Sequence, residues 1–146
     1  MIVDVSNTMT VSAVKSMLRF IKAKGLSFQY VLDGTGITGS DMSQDERMPI
    51  AAFDKMMSNV IVITGIKEIG LIAGQRLELQ SFNLLGFLIT SCQTGHEALA
   101  VMRRYYTLLS DTQAPEISIK GHQIEVRFNI CPGSQMAMLS RAELVI

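Results

Sequence analysis

The stretch EISIKGHQIEVRFNI, residues 116–130, decides the fold class. Ile117 and Ile119 alternate with Ser118 and Lys120; Ile124, Val126, Phe128 and Ile130 alternate with Glu125, Arg127 and Asn129. A period of two belongs to a strand with one buried face, and Gly121 between the runs predicts a hairpin. A lone hairpin is only marginally stable in water. It is therefore expected to lie on helices, and to pair with strands from outside the chain or with another subunit. Pro132 and Gly133 break the pattern, and residues 136–146 begin another helix-like stretch.

Everything before residue 110 has the other period. Thr10 is placed to cap a helix carrying Val11, Val14, Leu18 and Ile21, spaced by three and four. Lys22 and Lys24 fall in its last turn and Gly25 sits where a left-handed cap belongs. Ser27 heads a short helix with Phe28, Val31 and Leu32. Residues 34–47 are polar and glycine-rich and read as a loop. Pro49 suits a first helical position, before a stripe of Phe53, Met56, Met57, Val60 and Ile61 that Gly65 ends. A short helix with Ile69 and Ile72 follows. Residues 82–92 are apolar nearly all round, which predicts a fully buried helix. Thr94 and Glu97 are spaced as a capping box, before a helix carrying Ala98, Leu99, Met102, Tyr105, Tyr106 and Leu109. The fold class read from these patterns is α+β, mostly helical, with a C-terminal β-hairpin packed on the helices.

Composition bounds the function. The chain has 146 residues, 48% of them apolar and 18% charged, so a packed core is expected and disorder is not. One domain, residues 1–146, fits this length. Thirteen basic and thirteen acidic side chains cancel, which argues against a nucleic-acid-binding surface. No apolar run reaches the ~18 residues of a membrane span, and residues 1–10 show no signal peptide. A cytoplasmic protein without membrane association is the expectation. Two cysteines do not make a disulfide framework.

The chemical motifs are weak. Gly34, Gly36 and Gly39 spell G-x-G-x-x-G, but the segment before them reads as helical and no apolar helix opens at their end, so a plain loop is expected. Cys92, His96, His122 and Cys131 include no C-x-x-C or H-x-x-x-H pair; neither a metal site nor a Cys–His nucleophile is expected. Asp41, Asp45 and Glu46 lie in the polar loop, and no carboxylate pair is poised for acid–base work. The ten methionines read as core filling or as a malleable apolar pocket. Arg76, Arg103 and Arg104 flank the most apolar helices; they are surface or salt-bridge groups, or anchors for an effector's carboxylate.

The order of these features resembles the N-terminal effector domain, of the "arabinose-binding" type, of AraC/XylS-type transcriptional regulators. The resemblance rests on KGLSFQYVLDGTGI at 24–37, DERMPIAAFDKMM at 45–57, TGIKEIGLIAG at 64–74 and LLGFLITSCQTGHEALAVMRRYYTLLSD at 84–111. The last is the most specific, with Glu97, Ala98 and Leu99 followed by Arg104 and Tyr105. Ile66 and Lys67 replace the family's Asp-Pro, and Ser91-Cys92-Gln93 stands where Ser-Ser-Pro is common.

The resemblance implies a sensor, not a catalyst, without cofactor or metal. It implies a domain that binds a small-molecule effector, apolar or carboxylate-bearing, and forms a homodimer. DNA would be bound only through a C-terminal helix-turn-helix domain that these residues do not contain, and the chain is expected to be truncated relative to the family domain. Candidate effector contacts are Arg76, Phe82, Met102, Arg103 and Tyr106. Thr94, Glu97, Arg104 and Tyr105 are expected in structural roles, with Tyr105 packed toward the core and Arg104 fixing a neighbouring backbone segment or carboxylate. The alternative is a dimerisation or interaction module with no small-molecule ligand. A small enzyme is a third reading, for which no convergent catalytic set is visible.

Overall fold

A computed structural model describes residues 7–39, 47–75, 79–112 and 114–127. It is an α+β fold, mostly helical, with an antiparallel hairpin at its end. Strand β1, Thr8–Thr10, leads into helix α1, Val11–Ala23, and then α2, Phe28–Leu32. Strand β2, Arg47–Pro49, leads into α3, Ile50–Thr64, and α4, Ile69–Gly74. A 3-10 turn, Leu79–Phe82, precedes α5, Asn83–Thr90. Helix α6, Gly95–Tyr105, passes into a second 3-10 turn, Tyr106–Leu108. Strands β3, Glu116–Lys120, and β4, Gln123–Arg127, form the hairpin.

The core lies in the first half. Val11, Val14, Leu18 and Ile21 of α1 are buried with Phe53, Met56, Met57 and Val60 of α3, and with Ile69 and Ala73 of α4. Met17, Met48, Met56 and Met57 are all part of it, so much of the methionine content fills the core. Two left-handed glycines stop the helices as their positions predict. Gly25 has φ 79°, and Leu26 N–H returns to the Ile21 carbonyl as in a Schellman motif. Gly65 has φ 69° and donates to the Ile61 carbonyl at 2.8 Å. Asn59 of α3 donates from Nδ2 to the Val31 and Asp33 carbonyls, at 3.0 and 2.7 Å. Those carbonyls belong to the end of α2, which is thereby pinned to α3.

Three expectations need correction. The stretch read as a loop to residue 47 ends in β2, with Met48 opposite Met9 of β1. Pro49 belongs to that strand, and α3 begins one residue later because Ile50 N–H donates to the Asn7 carbonyl at 2.9 Å. Helix α5 is not fully buried. Only Leu85 and Gly86 are, whereas Leu84 is 59% and Phe87 67% exposed. An eight-residue helix contacting α6 and its flanking 3-10 turns has one side covered, whatever its composition on the other. Helix α6 likewise buries no residue fully.

The hairpin pairs Ile117 with Val126 and Ile119 with Ile124, so its apolar residues share one face. That face is partly covered: Ile117, Ile124 and Val126 are half-buried and Ile119 is 49% exposed, and β3 contacts α6. Gly121, φ 62°, takes the first central position of a two-residue turn with His122, and a positive φ there alone defines a II′ turn. Phe128, Ile130, Cys131 and residues 136–146 lie outside the described residues, as do Arg76, Asp41, Asp45 and Glu46.

Candidate functional site

Four of the five sequence-predicted effector residues, all but Arg76, fall on the second half of the fold. Phe82 closes the 3-10 turn before α5, Met102 and Arg103 lie on α6, and Tyr106 opens the turn after it. Each of these elements contacts α5. Phe82, Met102 and Tyr106 are each half-buried, while Arg103 is exposed. Arg103 and Arg104 occupy the last turn of α6, where cations complement the helix dipole.

The structural residues behave in two ways. Thr94 caps α6: its hydroxyl accepts from Glu97 N–H at 3.2 Å. The Glu97 carboxylate accepts from Gln93 N–H at 2.9 Å, one residue before the reciprocal partner of a regular capping box. Tyr105 does not pack into the core. It is exposed, and the Arg104 guanidinium lies 5.5 Å from its ring centre. Neighbours on a helix point ~100° apart, but the arginine stem is long enough to fold over the ring once no core surface claims the tyrosine. That is a cation–π pair, in place of the backbone or carboxylate contact expected for Arg104.

Two features had no clear sequence signal. The first is a groove of about 490 Å³ lined by Lys15, Leu18, Arg19, Phe28 and Gly39. Lys15, Leu18 and Arg19 stand at three- and four-residue spacing on α1, which puts two cations beside the buried apolar stripe. Phe28, the first residue of α2, is partly exposed at the groove wall. The amphipathic register of α1 could have suggested the basic edge; the position of Phe28 depends on the Asn59 contact across the fold.

The second is a clamp around Thr8. The Asp111 carboxylate accepts from the Thr8 hydroxyl and from its N–H, and pairs with Arg47 at 2.8 Å. Arg47 Nε donates to the Thr8 hydroxyl at 2.7 Å and its terminal nitrogens reach the Thr8 and Thr107 carbonyls. The Thr8 hydroxyl bond holds the Asp111 carboxyl below its ordinary range against the opposing effect of desolvation, with lesser help from the Thr8 backbone bond and the Arg47 charge. Partners 39, 64 and 103 residues apart leave no local pattern to read.

Potential reactive groups stay apart. The Cys92 thiol donates to the Leu88 carbonyl at 3.3 Å, and His96 and His122 are exposed. Among the described residues no three of His, Cys, Asp and Glu gather as a metal site. Gly34 and Gly36 turn a loop that follows α2, not a strand. No helix of the described residues is long and apolar enough to cross a membrane.

The class is that of transcription-regulator domains, and it comes from sequence similarity. The chain belongs to the family described as the arabinose-binding domain of AraC transcription regulator, N-terminal, whose model matches residues 25–146. It is also 28% identical over 101 residues to an uncharacterized HTH-type transcriptional regulator of Mycobacterium bovis and, equally, to one of Mycobacterium tuberculosis. Each match covers 67% of this chain and 29% of the relative's length.

Proposed function

We propose that this chain is the sensing and pairing domain of a DNA-binding regulator. It takes a small effector with a carboxylate and an apolar part into the groove between α1 and α2. A second copy of the chain pairs with it, and the two together set the spacing of DNA-binding domains carried elsewhere in the full-length protein. The observation that carries the effector class is the groove lining: Leu18 and Phe28 give it an apolar wall, with the cationic side chains of Lys15 and Arg19 one helical turn apart beside them. A guanidinium can hold a carboxylate with two parallel bonds. The balanced charge of the chain favours leaving DNA contact to another domain.

The test is ligand-dependent stabilisation. Benzoate, octanoate and L-arabinose are titrated separately, with melting followed by calorimetry. A ligand at a hundred times its Kd stabilises by ~2.7 kcal/mol, a shift of ~8 °C at this chain length. A shift with a carboxylate that Phe28→Ala and Arg19→Ala both remove supports the groove. A shift removed instead by Phe82→Ala or Tyr106→Ala moves the site to the α5–α6 seam. The exposed Leu84 and Phe87 on α5 favour one second reading, an interaction module with no small ligand, and no shift with any compound would favour it.

A further inference from the structure

The outer edge of β3 is unpaired among the described residues. Among the described residues its backbone forms no hydrogen bond outside the hairpin. The pair flanking a two-residue turn, here Lys120 and Gln123, is a hydrogen-bonded pair, and bonding then alternates along the ladder. Glu116, Ser118 and Lys120 therefore spend their backbone groups on β4. Ile117 and Ile119 turn theirs outward.

The strand is also self-complementary. Placed antiparallel to its own copy with Ser118 at the two-fold axis, Glu-Ile-Ser-Ile-Lys puts each Glu116 opposite the other copy's Lys120. Ile117 falls opposite the other copy's Ile119, and these are the residues whose N–H and C=O groups point outward. Backbone and side-chain requirements thus select one register. The equivalent register for β4 sets Glu125 against its own copy, which repels.

The charges within the hairpin leave the β3 ends available. Arg127 stands across from Glu116 in the ladder, but its guanidinium is held by Glu125 at 2.6 Å. Glu125 also accepts from Ser118 and reaches Lys120 at 3.6 Å. One carboxylate thus serves two cations, while Glu116 has no ion pair among the described residues. The Lys120 side chain is 75% exposed. The half-covered Ile119 lies on the apolar face that a continuous sheet would extend.

We infer that the chain pairs with a second copy through β3, making a four-stranded antiparallel sheet in the order β4–β3–β3–β4 across the two-fold axis. A two-fold perpendicular to the sheet keeps Ile117, Ile119, Ile124 and Val126 of both copies on one face. This rests on the pairing part of the function proposed above and specifies its interface.

Sedimentation equilibrium of the chain and three variants tests it. Wild type is expected to be a reversible dimer at tens of micromolar. Glu116→Lys and Lys120→Glu each set two like-charge pairs across the axis and raise the dimer Kd by about tenfold or more. The combined Glu116→Lys/Lys120→Glu variant restores pairing to within about threefold of wild type. The two single variants, weak alone, associate with each other when mixed, because one strand then carries two lysines and the other two glutamates. Far-UV circular dichroism confirms that each variant is folded. A wild-type dimer indifferent to all three variants overturns the β3 interface and leaves pairing in place. A wild-type monomer at 100-micromolar order overturns pairing itself, without touching effector binding.

Discussion

Replacing Phe87 and Phe53 by alanine, one at a time, separates two accounts of the core. Composition alone makes α5 a buried helix and Phe87 a core residue. In the fold, Phe87 is 67% exposed and Phe53 is 5% exposed. Full burial of such a side chain contributes ~1.5–3 kcal/mol. One third of it is covered at Phe87, so truncation forfeits about 0.5–1 kcal/mol. Alanine returns about 0.5 kcal/mol of that through its higher helix propensity. The net change at Phe87 is within ~0.5 kcal/mol of zero. At Phe53 the loss includes a cavity and amounts to ~3–5 kcal/mol. The corresponding fall in melting temperature is ~9–15 °C for Phe53→Ala and under ~2 °C for Phe87→Ala. Urea unfolding and calorimetry at one fixed protein concentration measure both. A Phe87→Ala cost above ~2 kcal/mol, in the range of buried positions, would mean that the outer face of α5 is covered, and would refute the reasoning.

Three further perturbations have defined outcomes. Thr94→Ala removes the acceptor for Glu97 N–H and is expected to cost ~1 kcal/mol, read as a lower urea midpoint with unchanged slope. Asp111→Asn tests linkage: the folded-state pKa lies below its ordinary value of 3.8, so the carboxylate's stabilisation is complete above that value and lost as pH falls through the folded pKa. The difference in urea midpoint between wild type and Asp111→Asn should therefore shrink on acidification below pH 4, and a gap unchanged from pH 6 to pH 2 would count against the clamp. Gly121→Ala forces a side chain into φ 62° and should weaken the hairpin by ~1–2 kcal/mol. Amide exchange would then accelerate in residues 116–127 while the α1–α3 core keeps its protection.

The legible parts of the fold were those whose cause is local. The three- and four-residue repeats of α1 and α3 place Val14, Leu18, Met56 and Val60 in the core because a helix segregates its faces at any position in a chain. Gly25 and Gly65 mark ends because a left-handed cap is a property of one residue. The alternation at Ile117 to Val126 marks strands for the same reason. The illegible parts depend on distant partners. β1 is three residues long and has no periodicity to offer; it exists because residues 47–49 and 109–111 bond to its two edges. The amount of cover over α5 and α6 depends on how many neighbours arrive, which no apolar count in residues 82–109 contains. The same holds at the candidate site. Lys15, Leu18 and Arg19 share a helix and are readable together, whereas Phe28 joins them only through the docking of α2 on α3.

The clasp at Thr8 also sets an order of events in folding. Closing a chain segment of 103 residues between Thr8 and Asp111 costs about 4 kcal/mol in the logarithmic loop term. The helix pairs of the core close much shorter loops and so lead. On a ribosome adding ~5–20 residues per second, Asp111 is made about 5–20 s after Thr8. Once residues 47–49 are made, β1 has β2 as its partner and a bare second edge until Asp111 arrives, which is the period of greatest exposure to chaperones and to wrong pairing. In the finished domain the same closure makes the segment at 109–111 a late-forming contact, expected to govern the unfolding rate more than the folding rate.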